Sequence, residues 1–150
     1  MTQPSDSTRK MRYSLVNRDD ALDAGGRREY FDYRDLALSA ASNGFMRAQL
    51  ICNKKGKTPP TGWHYHTCEA QIVYFLRGWA DLEFEDGKRV RTRPGDMLFI
   101  PGGVLHNEGE SSDDIEVIEM SIPAEMGTVN VDPPEGFTQV FGERTKQMAD

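Results

Sequence analysis

The segment GWHYHTCEAQ, residues 62–71, is the most informative part of this sequence because it carries two of the chain's three histidines, His64 and His66. In a β-strand, residues two positions apart point to the same face, so this pair presents both imidazoles to one point in space. Imidazole is a ligand that suits zinc, copper, iron and nickel ions. The third histidine, His106, ends a second segment, GDMLFIPGGVLH, residues 95–106. All three histidines are therefore candidate metal ligands.

The chain around these segments has the pattern of short strands separated by turns. Ala80, Leu82 and Phe84 alternate with acidic residues, which is the period-two pattern of a half-buried strand. The Asp-Gly pair at 86–87 and the Pro-Gly-Gly run at 101–103 are turn sequences. Regularly spaced turns of this kind favour an all-β sandwich or barrel.

Other elements follow from the same signals. Apolar runs with β-branched and aromatic residues predict strands at 71–76, 97–100 and 115–122, and the turn at 86–87 predicts a returning strand at 89–93. Two apolar runs around the turn Ser42-Asn43-Gly44 predict a hairpin over 34–52. The segment 108–114 is polar and is predicted to be a connection without a strand. No amphipathic helix is predicted between residues 27 and 122.

The composition is that of one soluble globular domain. The chain has 150 residues, of which 37% are hydrophobic and 28% charged. Its net charge of -6 argues against a nucleic-acid partner, and it contains no apolar run of the roughly 20 residues that a membrane span needs. Two cysteines do not make a disulfide scaffold, and the N-terminus shows no signal peptide. We therefore expect a reduced, cytoplasmic protein.

Taken together, the two histidine segments resemble the two motifs of the cupin family. The first motif is His-x-His, three or four residues, Glu, six residues and Gly, and Gly78 stands at its last position. The second is Gly, five residues, Pro-x-Gly, two residues and His, which residues 95–106 match. The resemblance implies a small single-domain cupin: an all-β jelly-roll barrel, or double-stranded β-helix, with one bound divalent metal ion. The implied organisation has three parts: a flexible segment over 1–12, a cupin barrel with N-terminal strands over 13–126, and a C-terminal loop or tail over 127–150.

The fourth metal ligand implied by the resemblance is the informative one. Gln71 occupies the position where the family has glutamate, while Glu69 offers a carboxylate two residues out of register. We prefer Gln71 because its spacing to His66 and Gly78 matches the motif, and Glu69 remains the alternative. Three imidazoles and an amide carry no charge, so a divalent ion would keep its full attraction for carboxylates, phenolates or enolates. This ligand set is similar to that of zinc-containing aromatic polyketide cyclases with the cupin fold, so we expect zinc before nickel, manganese or iron.

The resemblance implies a metal-dependent enzyme that acts on a small anionic or enolisable organic molecule, as a cyclase, isomerase or dioxygenase. The alternative is a non-catalytic cupin that binds or senses a small molecule. No independent general base stands out, so Glu69 and Gln71 are the candidate catalytic residues. Val73 and Phe75 share the parity of Gln71 and are expected to face the interior. The resemblance also implies a homodimer, with the hairpin at 34–52 as a contributor.

Overall fold

The structure, a computed structural model, describes residues 10–20, 24–54 and 58–141, and within these ranges the chain is almost entirely β. It contains ten strands and one helix of four residues. In chain order they are β1 (Phe31–Asp35), α1 (Leu38–Ala41), β2 (Arg47–Asn53), β3 (His64–His66), β4 (Ala70–Arg77), β5 (Ala80–Phe84), β6 (Arg89–Arg91), β7 (Met97–Pro101), β8 (His106–Ser111), β9 (Glu116–Ile122) and β10 (Thr128–Asn130). The predicted all-β class is confirmed.

The strands form two antiparallel sheets of five strands each. The first sheet has the order β1-β2-β9-β4-β7, and the second has the order β10-β3-β8-β5-β6. In the part of the chain that the structure describes, no strand of one sheet pairs with a strand of the other. The jelly roll is therefore an open two-sheet sandwich rather than a barrel closed by hydrogen bonds.

The apolar core sits on the inner face of the first sheet. Tyr33, Ile51, Val117 and Phe75 are direct cross-strand neighbours on β1, β2, β9 and β4, and all four are buried. Such cross-strand contacts are the main unit of sheet stabilisation. Ile115, just before β9, completes this cluster. The next inward positions are Gln49 on β2 and Glu119 on β9, and Gln71 follows Val73 on β4. The candidate site lies at this more polar end of the sheet.

Most predicted strands occur where the period-two pattern placed them. The hairpin predicted at 34–52 is only partly correct. Its second apolar run forms β2, but the run before Ser42 contains α1 instead of a strand, and the partner of β2 is the earlier strand β1. The prediction that 108–114 lacks a strand was wrong, because β8 runs through Ser111 and pairs with β5. The pairing supplies the backbone hydrogen bonds, so polar side chains do not prevent a strand here. The segment predicted as a C-terminal tail contains β10, which pairs with β3.

Some predictions concern residues outside the described ranges. Residues 1–9 of the N-terminal segment and residues 142–150 of the C-terminal tail belong to this group. Cys52 and Cys68 are free thiols, as expected from the absence of a disulfide pattern. No helix within the described ranges has the length and hydropathy needed to cross a membrane.

Candidate metal centre

The three histidines come together on the inner face of the second sheet. His64 and His66 are the ends of the short strand β3, and His106 begins β8 directly opposite His64. Because His64 and His66 are two residues apart, both side chains point inward. The three side chains are between 0% and 3% exposed. The sequence-based expectation that these residues meet is therefore realised in the fold.

Their spacing is close to that of a bound metal ion. One ring nitrogen from each histidine can be chosen so that all three lie within 4.8 Å of one another. Ring centroids are 4.3 Å apart for His64 and His106, 5.0 Å for His64 and His66, and 5.2 Å for His66 and His106. Nitrogens bound tetrahedrally to one zinc ion would be about 3.3 Å apart, given bonds of about 2.0–2.1 Å. Small rotations of the imidazoles would close this difference, so the buried cluster could hold a metal.

Hydrogen bonds fix the ring orientation of two of the histidines. His64 Nδ1 lies 2.8 Å from the carbonyl oxygen of Gly62, and His106 Nδ1 lies 2.9 Å from that of Val104. A carbonyl oxygen only accepts, so each Nδ1 carries the hydrogen and donates it. This leaves Nε2 of both rings with a free lone pair. Among the described residues, His106 Nε2 is buried and has no hydrogen-bond partner.

His66 has a different set of neighbours. Its Nδ1 lies 3.1 Å from Thr128 Oγ1 and 3.3 Å from the carbonyl oxygen of Gly127, and both can accept its hydrogen. A guanidinium nitrogen of Arg27 is also 3.3 Å from this Nδ1. Arg27 therefore connects the cluster to residues outside it.

Burial keeps two of the imidazoles neutral. Desolvation lowers the pKa of His64, with a further lowering by the neighbouring His106. Desolvation, followed by the charge of Arg27, lowers the pKa of His66 to about 3. A neutral imidazole is the form that binds a metal, so these two rings need lose no proton to act as ligands at neutral pH.

Two backbone hydrogen bonds join the turns beside the ligand strands. The Gly102 N–H donates to the carbonyl of Glu69 and the Gly103 N–H donates to the carbonyl of His66, both at 3.0 Å. The turn between β7 and β8 is thereby held against the turn between β3 and β4. This contact sets the position of His106 relative to His66.

The two candidates for the fourth ligand lie in different surroundings. Gln71 lies on β4 in the first sheet and is 2% exposed, and its Oε1 is buried without a hydrogen-bond partner among the described residues. Glu69 is exposed in the turn between β3 and β4. It is not part of the histidine cluster found among the described residues.

Comparison with known proteins bears on the fold and the motifs. A family model described as "Cupin domain" matches residues 51–122, a range that includes all three histidines and Gln71. Residues 51–122 are therefore similar to a cupin domain. No curated protein matches the chain by sequence.

Solved structures show the same fold. The polyketide cyclase RemF from Streptomyces resistomycificus has a TM-score of 0.61 and 23% identity, over 80% of this chain and 86% of that one. Streptomyces Pac13 with uridine has a TM-score of 0.57 and 9% identity, over 81% and 93%. Salicylate 1,2-dioxygenase from Pseudoaminobacter salicylatoxidans, in complex with gentisate, has a TM-score of 0.53 and 13% identity, over 68% and 29%. At these identities the likeness concerns the fold of the cupin domain.

A cavity lies beside the histidine cluster and opens to solvent. His64 lines it on one side, and Val73 and Phe75 line it from β4, as their parity predicted. Arg27 and Arg28 contribute positive charge to the lining. Its lining, which is mostly apolar with a few charged and polar groups, suits a small organic molecule.

One buried residue near the site was missed by the sequence analysis. Glu119 lies on β9, faces the interior and is 4% exposed. It lines the cavity and forms ion pairs with Arg27 and Arg47. A signal was present, because Glu119 shares inward parity with Val117 in a strand that was correctly predicted.

Proposed function

We propose that this cupin holds one divalent metal ion through His64, His66, His106 and the amide oxygen of Gln71, and acts with it on a small anionic or enolisable organic molecule. The observation that carries the proposal is the buried histidine triad beside an interior cavity. Two buried atoms without hydrogen-bond partners in the described chain, His106 Nε2 and Gln71 Oε1, also fit a metal site. An unpartnered buried polar atom is costly unless something binds it.

The donor set determines which chemistry the ion would supply. A divalent ion among neutral ligands polarises carbonyl groups and stabilises negative charge on oxygen. Arg27 and Arg28 line the cavity, but so do Glu108, Glu110 and Glu119, and Arg27 is paired with Glu119. The attraction for an anionic substrate would therefore come from the ion rather than from the cavity wall. Of the two candidates for proton transfer, Gln71 has no basic group, and Glu69 would have to act from an exposed turn.

We propose Lewis-acid chemistry with zinc, such as cyclisation or isomerisation, as the reaction class. The ligands depart from the two-histidine, one-carboxylate set that is typical of non-haem iron oxygenases. Among the structural neighbours, RemF is a polyketide cyclase and Pac13 is a nucleoside dehydratase, while one neighbour is a dioxygenase. Two free cysteines agree with a reducing compartment, so we propose a cytoplasmic location.

The reaction class can be tested with β-diketones as simple enolisable probes. We expect zinc-loaded protein to exchange the acidic C–H of the probe for deuterium at least about tenfold faster than metal-free protein, because the ion stabilises the enolate. NMR measures the exchange, in aerobic and in oxygen-free buffer. Equal rates with and without zinc would contradict Lewis-acid catalysis. Turnover that requires oxygen would instead favour a dioxygenase.

A homodimer is also proposed, through the outer face of the first sheet. Two apolar rows cross four strands on this face, namely Leu50, Ile118, Tyr74 and Met97, and Ala48, Met120, Ile72 and Phe99. Met97 is 65% and Phe99 60% exposed, which is unusual for large apolar residues. Leu50 belongs to the hairpin that the sequence analysis implicated.

A second copy of this chain is the occupant that the exposed residues favour. Tyr13 and Leu15, in the extended segment before β1, are 97% and 79% exposed. Like Met97 and Phe99 on the sheet face, they are large apolar side chains that a partner could cover. A stable interface needs about 800 Å² per partner, and we propose that the two apolar rows form its centre.

Replacing Phe99 tests the dimer. We expect Phe99→Glu to weaken dimerisation at least about 100-fold, because a symmetric interface would bury two unpaired carboxylates. Light scattering coupled to size-exclusion chromatography measures the mass. Val140→Glu is the matched control, since Val140 is an exposed apolar residue outside the two rows. A monomeric wild type at micromolar concentration would refute the proposal.

A further inference from the structure

Glu119 accepts hydrogen bonds from four side chains in the interior. Its Oε2 lies 2.8 Å from Gln71 Nε2 and 3.2 Å from a guanidinium nitrogen of Arg27. Its Oε1 lies 2.8 Å from Gln49 Nε2 and 3.4 Å from a guanidinium nitrogen of Arg47. Every one of these neighbours donates an N–H, so the buried carboxylate is enclosed by donors.

This arrangement orients the amide of Gln71. A carboxylate has no hydrogen to donate, so the atom of Gln71 that faces Glu119 has to be the NH₂ nitrogen. A half-turn of the amide would put two acceptor oxygens at about the distance of a hydrogen bond, which is repulsive. The amide oxygen is therefore held on the other side, where it is buried and has no partner among the described residues.

We propose that Glu119 is a positioning residue that presents the Gln71 oxygen to the metal, and that its carboxylate is the reason why residue 71 is glutamine. The inference rests on the proposed function, because it assumes that Gln71 is a ligand. A glutamate at position 71 would face the Glu119 carboxylate across the same contact. In the cupin motif the ligand itself carries the negative charge. Here the charge lies on Glu119, which is hydrogen-bonded to the proposed ligand Gln71.

A second contact connects Glu119 to the histidine cluster. Arg27 pairs with Glu119 through one guanidinium nitrogen and lies 3.3 Å from His66 Nδ1 through the other. It also donates to Thr128 Oγ1 at 2.6 Å. Glu119 therefore contacts Gln71 of the first sheet directly, and it contacts His66 of the second sheet through the side chain of Arg27.

The test measures zinc affinity and the thermal stability of the metal-free protein in parallel. We expect Glu119→Gln to weaken zinc binding about 10–100-fold, as is typical when a hydrogen-bond partner behind a ligand is changed. Glu83→Gln is the matched control, because Glu83 on β5 is a buried glutamate that pairs with Arg89 on β6. Its neighbour Leu82 lines the cavity, so Glu83 faces the opposite side of the sheet. This control should lower the melting temperature and leave the zinc affinity unchanged.

Exchanging the two groups gives the sharper result. Gln71→Glu alone should lower the melting temperature of the metal-free protein, because two carboxylates then meet. In the double variant Gln71→Glu with Glu119→Gln, a donor again faces a carboxylate. The melting temperature should therefore return to near that of the wild type, and the zinc affinity should be at least within about threefold of the wild-type affinity.

The outcomes separate the inference from the proposed function. If Glu119→Gln binds zinc as tightly as the wild type, or if the double variant shows only the sum of the single losses, the positioning role is refuted while the metal site stands. If the wild type itself binds no metal, the proposed function fails first. An unchanged zinc affinity in Gln71→Ala would refute the inference by removing Gln71 from the ligand set.

Discussion

A Gly102→Ala variant is expected to lose about 3 kcal/mol or more of folding free energy, or to fail to fold. A Cβ at this position would lie 1.7 Å from the carbonyl oxygen of Cys68, a backbone atom that cannot move independently. The Gly102 N–H also donates to the carbonyl of Glu69, which lies with Cys68 in the turn between β3 and β4. Relief of the clash would separate the two turns that carry His66 and His106, so metal binding should fall along with stability.

The adjacent glycine provides the control for this prediction. Gly103 has a φ of +84°, and a Cβ there would meet nothing within 4 Å. Gly103→Ala should therefore cost only the backbone strain of a left-handed residue, about 1–2 kcal/mol. Chemical denaturation of the metal-free variants measures both values. The account of this contact is wrong if Gly102→Ala is no less stable than Gly103→Ala.

Local patterns in the sequence were sufficient to predict most of the strands and the histidine triad. Alternation fixes which side chains face inward, and His64, His66 and Val73 all follow it. The turn residues set the spacing between strands, which is why the two motifs could be aligned. Strand β8 was missed because its side chains are mostly polar, and its pairing with β5 was not visible in any local window.

The environment of the ligands could not be predicted in the same way. Arg27 contacts His66, Glu119 and Thr128, which are 39, 92 and 101 positions away in the chain. Such contacts depend on how the two sheets face each other and leave no periodic signal. The glutamine at position 71 was noticed as a departure from the motif, but the carboxylate that accounts for it became visible only in the fold.

A His106→Ala variant is expected to lose metal binding while keeping the β-sheet structure. The change removes one of three imidazoles, so zinc affinity should fall by more than the roughly 10–100-fold typical of a residue behind a ligand. His106 is fully buried, and some loss of stability is expected from the cavity left behind. Phe84→Leu is the control, because the Phe84 ring lies 6.3 Å from that of His106 and offers no ligand atom. Circular dichroism shows whether both variants fold.

The metal content of the purified protein tests the central claim most directly. Wild type, Phe84→Leu and His106→Ala are each incubated with excess zinc, passed over a desalting column and analysed by mass spectrometry for bound metal. We predict about one zinc ion per chain in the wild type and in Phe84→Leu, and less than about a tenth of that in His106→Ala. A folded wild type without metal, or a His106→Ala variant with a full zinc ion, would contradict the account.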